Sequence, residues 1–301
     1  MKRSAVLWIV AIVVTLIAAS WQRRTGPTYP VDGTISLGGR EVRIHLARSN
    51  GGETDQPVRI RVEDAGVSGE VAWRRFPTSE PWSVIPMERE GEWLAAALPH
   101  QPPAGKLEYQ VRLVRGDERR TFPPLPAVTR FKGHVPAAIL APHVLMMFLG
   151  MLVSNRAGLE ALGTSGDPRR LAFVTLAIIF VGGLILGPIV QKYAFGAYWT
   201  GVPFGYDLTD NKTLIAAVAW AWAAWRVLPR GTATARRDSN RREQTSSAAH
   251  DRSVSHLTVA VPPDPAVAVP RGRWDVVAAA VITLVVFAIP HSVWGSEIKW
   301  Q

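Results

Sequence analysis

Five apolar runs punctuate the chain: Ala5 to Ser20 (AVLWIVAIVVTLIAAS), Pro136 to Val153 (PAAILAPHVLMMFLGMLV), Leu171 to Val190 (LAFVTLAIIFVGGLILGPIV), Thr213 to Leu228 (TLIAAVAWAWAAWRVL) and Val276 to Pro290 (VVAAAVITLVVFAIP). Each approaches the roughly 20 apolar residues that a helix needs to cross a bilayer core. Five in one chain predict a membrane-embedded protein rather than a series of buried soluble helices. Trp8, Trp21, Trp274 and Trp294 stand at or near the ends of runs, where indole rings favour the membrane interface.

Between the first and second runs the period changes. EVRIHL, PVRIRVE, EVAWRRF, WSVIPME, EWLAAAL, and the pair KLEYQVRLV and RRTFPPL around the turn RGDE alternate apolar with polar residues, broken by Gly and Pro clusters. That pattern predicts an antiparallel β-sandwich, and its last hairpin resembles immunoglobulin or fibronectin type III modules. The predicted fold is a multi-span α-helical membrane protein of four to five transmembrane helices, with an inserted all-β sandwich domain on the outer face. Residues 1–24 form a transmembrane anchor or a signal peptide, since Lys2 and Arg3 precede the run and Ala18, Ala19 and Ser20 close it. Residues 25–132 form the exported sandwich. Residues 133–228 hold helices two to four with an outer aromatic loop at 191–212. Residues 229–273 are a basic, disordered cytoplasmic linker, and 274–301 are the last helix and a short outer tail.

Charge gives the orientation. The segment 229–273 carries eight arginines against four acids, whereas 25–132 has fifteen basic and fourteen acidic residues and is nearly neutral. The positive-inside rule therefore puts the linker in the cytoplasm and the sandwich outside, in a bacterial-type inner (plasma) membrane. Arg23 and Arg24 run against the rule and are outvoted. The linker lacks aromatics and any periodic apolar face, so its arginines do not predict a nucleic-acid partner. The expected partners are membrane lipid and an exported or membrane protein that docks on residues 25–132. With no cysteine in its 301 residues, the chain has no disulfide, thiolate metal site or thioether attachment for haem.

Candidate chemistry gathers at the outer face. His143, in APHVLMMFLG, and His291, in AIPHSVWGSE, belong to the outer halves of two runs, and a loop KYAFGAYWTGVPFGYDLTDNKT occupies the same side. An ionisable group at membrane depth is a functional candidate by default, and imidazoles from two helices can clamp a haem iron. In DLTDNKT, Asp210 is expected to cap the helix that follows, with Asp207 or Thr209 as further capping candidates. The sandwich offers no catalytic arrangement, and the spans pair no nucleophile with a base, so enzymatic activity is not expected.

PHVLMM, GGLILGPIVQKYAFGAYWTG and PHSVWGSE, in that order, resemble the haem-handling membrane proteins of cytochrome c biogenesis, known for a tryptophan-rich external loop. The resemblance implies a divergent, minimal relative that binds non-covalent b-type haem for cytochrome c assembly or haem delivery. It makes His143 and His291 the axial ligands and gives Gly196, Tyr198, Trp199 and Asp207 to the haem-facing loop, with Lys192 or Lys212 available to a propionate. The alternative function is a non-catalytic accessory subunit of a larger membrane complex, its helices packed through Gly150, Gly182, Gly183 and Gly187.

Overall fold

The structure is a computed structural model that describes residues 2–163, 166–228 and 272–290. The predicted linker, up to residue 271, and the tail from 291 onward, with His291, lie outside the described residues.

A first helix, α1 (Lys2–Arg24), leads into ten strands: β1 (Val31–Leu37), β2 (Arg40–Leu46), β3 (Ser49–Gly51), β4 (Gln56–Arg61), β5 (Val67–Arg75), β6 (Ser83–Pro86), β7 (Glu88–Glu90), β8 (Trp93–Leu98), β9 (Lys106–Arg115) and β10 (Glu118–Lys132). Then follow α2 (Ala137–Leu162), α3 (Arg169–Ile179), a π-helical stretch (Phe180–Leu186), α4 (Gly187–Phe195), α5 (Leu208–Val227) and α6 (Arg273–Ala288).

The strands form three sheets, β1-β2, β3-β10-β9-β5-β6 and β4-β8-β7, around one core that includes Ile44, Leu46, Ile60, Leu94, Leu107, Val111 and Phe131. Alternation decides which side chains enter it: β4 is buried at every second residue from Gln56 to Ile60. One pairing departs from the expected antiparallel plan, because β3 runs parallel to β10. Strands β1 and β3 escape the pattern reading. β1 contains Asp32-Gly33, which has the composition of a turn, yet Gly33 is required there because a Cβ would strike the Phe122 ring. The register of β10 against β9 shifts between Phe122 and Ala127, over the run Pro123, Pro124, Leu125, Pro126, whose prolines have no N–H to give the ladder. Inside the core, the Tyr109 hydroxyl donates to the Ala47 carbonyl at 2.6 Å, and the Thr129 hydroxyl donates to Gln56 Oε1 at 2.6 Å.

Among the described residues, three helices are long and apolar enough to cross a membrane: Arg3–Arg24, Ala137–Leu162 and Arg169–Phe195. They pack with α5 and α6 into a bundle whose interior is built from small residues, among them Ala157, Ala172, Ala216, Ala223 and Ala279, around the fully buried Trp220. Trp220 Nε1 donates to the Thr283 hydroxyl at 2.8 Å. Small residues let helices approach closely where hydrophobic burial offers no drive. The outward positions are apolar as well: Ile9 and Ile17 on α1, Leu145 and Phe148 on α2, and Val218 and Val285 are exposed. A soluble bundle would place polar residues there, so the molecule is built to associate with a membrane.

With Arg169–Phe195 counted as one continuous helix, successive helices alternate in direction, and the two ends of the bundle differ. The end away from the sheets gathers Arg156, which pairs with Glu160 at 2.5 Å, and Arg273, whose guanidinium donates to the carbonyls of Ala161, Leu162 and Gly163. Arg156 therefore lies in α2, almost fully buried against α1, and not in the connection where the apolar pattern would end the span. The opposite end carries the β domain and the aromatic loop.

Candidate functional site

The loop is shorter than its composition predicts. Gly196, with φ +86°, ends α4 in the left-handed conformation, and Asp207 opens α5 by accepting the Thr209 N–H at 2.8 Å. Asp207 is thus the cap and Asp210 is not. Asp210 lies in the first turn of α5, buried, and its Oδ2 accepts from the backbone N–H groups of Thr200 at 2.6 Å and Gly201 at 2.9 Å, and from Gln191 at 3.1 Å. A carboxylate at a helix start that collects loop N–H groups fixes the whole turn, which is a larger task than capping.

His143 stands nearly two turns inside α2, as its seventh residue. Its Nδ1 lies 2.8 Å from the Gly182 carbonyl oxygen. A carbonyl only accepts, so in the neutral ring Nδ1 carries the proton and Nε2 keeps its lone pair. The same carbonyl accepts the Gly187 N–H, a five-residue step that belongs to the π-helical stretch. Two features of the sequence widen the helix here. Pro188 has no N–H to return to the preceding turn, and its ring presses on the carbonyl four residues back. Gly182 and Gly183 accept close neighbours: a Cβ on Gly182 would lie 2.7 Å from Met146 Cβ, and one on Gly183 would lie 2.5 Å from Thr213 Cγ2. Such π-helical turns are frequent at functional sites.

The imidazole borders two adjoining cavities. The larger, about 430 Å³, lies between the β domain and the helices, walled by Leu140, Val190 and Phe195 and edged by Arg23, Arg130 and Lys132. The smaller, about 180 Å³, continues between α1, α2 and α5 past Met147, Met151 and Phe287. The larger volume falls within the range of small-molecule sites, about 300–1,000 Å³. The β domain is fastened beside it: Gly133 N–H donates to the Ala194 carbonyl at 3.0 Å, and the Arg130 guanidinium stacks 4.1 Å from the centre of the Phe195 ring. Burial, together with the nearby charges of Arg130 and Arg23, pulls the pKa of Lys132 below the usual lysine value.

Of the residues expected to form the site, His143 and Asp207 line the larger cavity. Gly196, Tyr198 and Trp199 do not border either cavity. Tyr198 is exposed and stacks with Lys192, and Trp199 is held by its own loop, its Nε1 donating to the Val202 carbonyl at 3.1 Å. Lys192 and Lys212 are engaged too: Lys192 donates to the Gly196 carbonyl, and the buried Lys212 donates to the carbonyl of Ile289 at 2.7 Å, at the end of α6. Pro290, the residue before His291, also packs beside Gly26 on the rim of the larger cavity. Arg23, Arg130 and Lys132 are the lining residues that sequence reasoning missed. The signal for Arg23 was present, as a basic residue on the wrong side of the charge rule.

No family model matches the chain, and no curated protein matches it. The resemblance to haem-handling proteins rests on the three strings alone. Among the described residues there is no group of three or more His, Cys, Asp or Glu side chains able to hold a metal ion.

Proposed function

We propose that the chain is a multi-pass inner-membrane protein, with four to five transmembrane helices and the β domain outside, that binds b-type haem in the larger cavity, for haem delivery or cytochrome c assembly. The observation that carries this reading is the anchored imidazole of His143. A histidine whose Nδ1–H is fixed by a backbone carbonyl presents Nε2 in a defined direction, which is the usual preparation of an iron ligand. His143 and His291 would hold the iron, and Leu140, Val190 and Phe195 would line the porphyrin. Lys212 supports the second ligand indirectly, because it fastens the end of α6 close to the cavity. Haem, when bound, supplies a one-electron iron centre or a cargo to hand on. The alternation of helices, the arginines at the end away from the sheets, and the packing of α1 on α2 support the charge-derived orientation and a retained anchor.

The test is absorbance. Full-length protein expressed with ample haem is expected to show a Soret band that shifts in His143→Ala or His291→Ala and is lost when both are changed. No band in the parent protein, or an unchanged one in the double variant, overturns the assignment.

A second reading, an accessory subunit that docks an exported partner, draws on exposed apolar side chains at the same end: Leu125 at 83%, Phe204 at 82% and Tyr206 at 90%. It predicts that substitutions at these three residues, and not at His143, impair function in the cell.

A further inference from the structure

Residues 196–206 border neither of the two cavities, so the aromatic composition of the loop is left without a task. We propose that the loop between α4 and α5 seats in the headgroup layer of the outer leaflet, with Tyr198, Val202 and Phe204 as the side chains that meet lipid. Its side of the membrane follows from the orientation proposed above, and haem plays no part in it.

From Tyr193 to Tyr206 the chain runs fourteen residues without a charge, YAFGAYWTGVPFGY. Within it Tyr198 is 59% exposed, Val202 49% and Phe204 82%. The charges at either end are turned to local work. Lys192 Nζ donates to the Gly196 carbonyl at 2.8 Å and lies 5.5 Å from the centre of the Tyr198 ring, while Asp207 caps α5. The exposure is not that of a loose segment, because the start of α5 builds the loop. Asp210 Oδ2 accepts the N–H groups of Thr200 and Gly201, and Asn211 Oδ1 accepts that of Val202 at 2.8 Å. The Gly201 carbonyl accepts from Phe204 and Gly205, and the Thr200 carbonyl accepts from Asp207 at 3.0 Å. Backbone donors satisfied within the fold can leave water at little cost. The apolar side chains are thus held outward on a hydrogen-bonded frame, and exposed apolar surface marks contact with protein or with membrane.

Place and composition select lipid over protein. α4 is the last part of Arg169–Phe195, a helix long and apolar enough to cross a membrane, so the loop begins where that helix leaves the hydrocarbon. Tyr193, in its last turn, is exposed as well, at the level where Tyr and Trp gather at membrane–water boundaries. Docking patches for proteins carry a polar rim and are enriched in Arg, whereas this run offers a partner no charged group. Leu125 belongs to the β domain and is no part of this surface.

Fluorescence quenching of the full chain in phosphatidylcholine nanodiscs tests this. The chain has no cysteine, so an NBD dye on Val202→Cys is the sole label and leaves Tyr198 and Phe204 in place. Its emission is expected to be quenched by phosphatidylcholine that carries a nitroxide on the headgroup, and to be shielded from iodide in the buffer. The same dye on Thr54→Cys, in the β domain, should show the reverse. Adding Tyr198→Ser and Phe204→Ser to the Val202→Cys protein should exchange the first behaviour for the second while leaving the circular dichroism unchanged. Quenching at Val202→Cys by iodide and not by lipid overturns the proposal and makes the loop a docking surface for a partner protein. Lipid quenching that survives the loss of both aromatic rings also overturns it, since the dye or the helix ends would then set the depth. A nanodisc has no inside or outside and the test uses no haem, so either failure stands apart from the orientation and from the haem reading.

Discussion

At the scale of single residues, the site is a set of polar groups with assigned tasks. Asp210 holds the loop, Asp207 starts a helix, Lys212 closes another, and His143 is aimed by a carbonyl. Lys132 differs, because burial and the neighbouring charges of Arg130 and Arg23 all disfavour its charged form. Its sign can be worked out. Folding lowers its pKa, so between the folded value and the unfolded value near 10.5 the unfolded chain holds a proton that the folded chain has released. Stability contributed by this group therefore rises with pH across that window, and below it the folded protein bears the full cost of the buried cation. In lipid-free detergent, Lys132→Met is expected to raise the melting temperature at pH 7 and to flatten its climb toward pH 10, as measured by thermal unfolding at a series of pH values. A variant that melts lower at pH 7 would show that Lys132 is satisfied as it stands. The histidine and the aromatic loop were legible in the sequence because polar groups in apolar runs stand out. Lys132 was not, because a lysine at the end of a strand looks like any solvated one until the bundle covers it.

At the scale of elements, the apolar pattern located every helix among the described residues but not its limits. α2 continues past the apolar run by placing Arg156 and Glu160 against α1, and α5 begins five residues before its run because Asp207 and Asp210 organise the start. The π-helical stretch could not be read from periodicity, which is insensitive to one extra residue per turn, although Gly182, Gly183 and Pro188 mark its place. Gly183 was expected to be a packing residue, and it is one: Thr213 of α5 and the sulfur of Met147, 3.8 Å from where a Cβ would lie, crowd its position. Gly183→Leu therefore forces α5 from α3 and α4. Overpacking of this kind costs about 1–3 kcal/mol. The expected readout is a lower melting temperature together with a changed Soret band, because the same displacement moves Gly182, whose carbonyl holds His143. Gly158→Leu, at the far end of the bundle where a Cβ would meet Ala280, is the control. It should lower the melting temperature and leave the band unchanged.

At the scale of the whole molecule, sidedness is the property on which both proposals depend. The β domain, the loop over 196–207, the mouth of the cavity and the end of α6 share one end of the bundle, while Arg156, Arg226 and Arg273 belong to the other. Under the proposed orientation, which follows the positive-inside rule, the first end is external; of the two residues that run against the rule, Arg23 borders the cavity. The absence of cysteine makes the arrangement directly measurable, since every introduced thiol is the sole one. Single variants Thr54→Cys in the β domain and Tyr206→Cys in the loop are expected to react in intact cells with a maleimide that cannot cross membranes. Gly163→Cys, at the other end of α2, should react only after the cells are opened. Tyr206→Cys reacting only in opened cells would place the loop, and with it the mouth of the cavity, in the cytoplasm, where haem delivery to exported cytochromes is not possible.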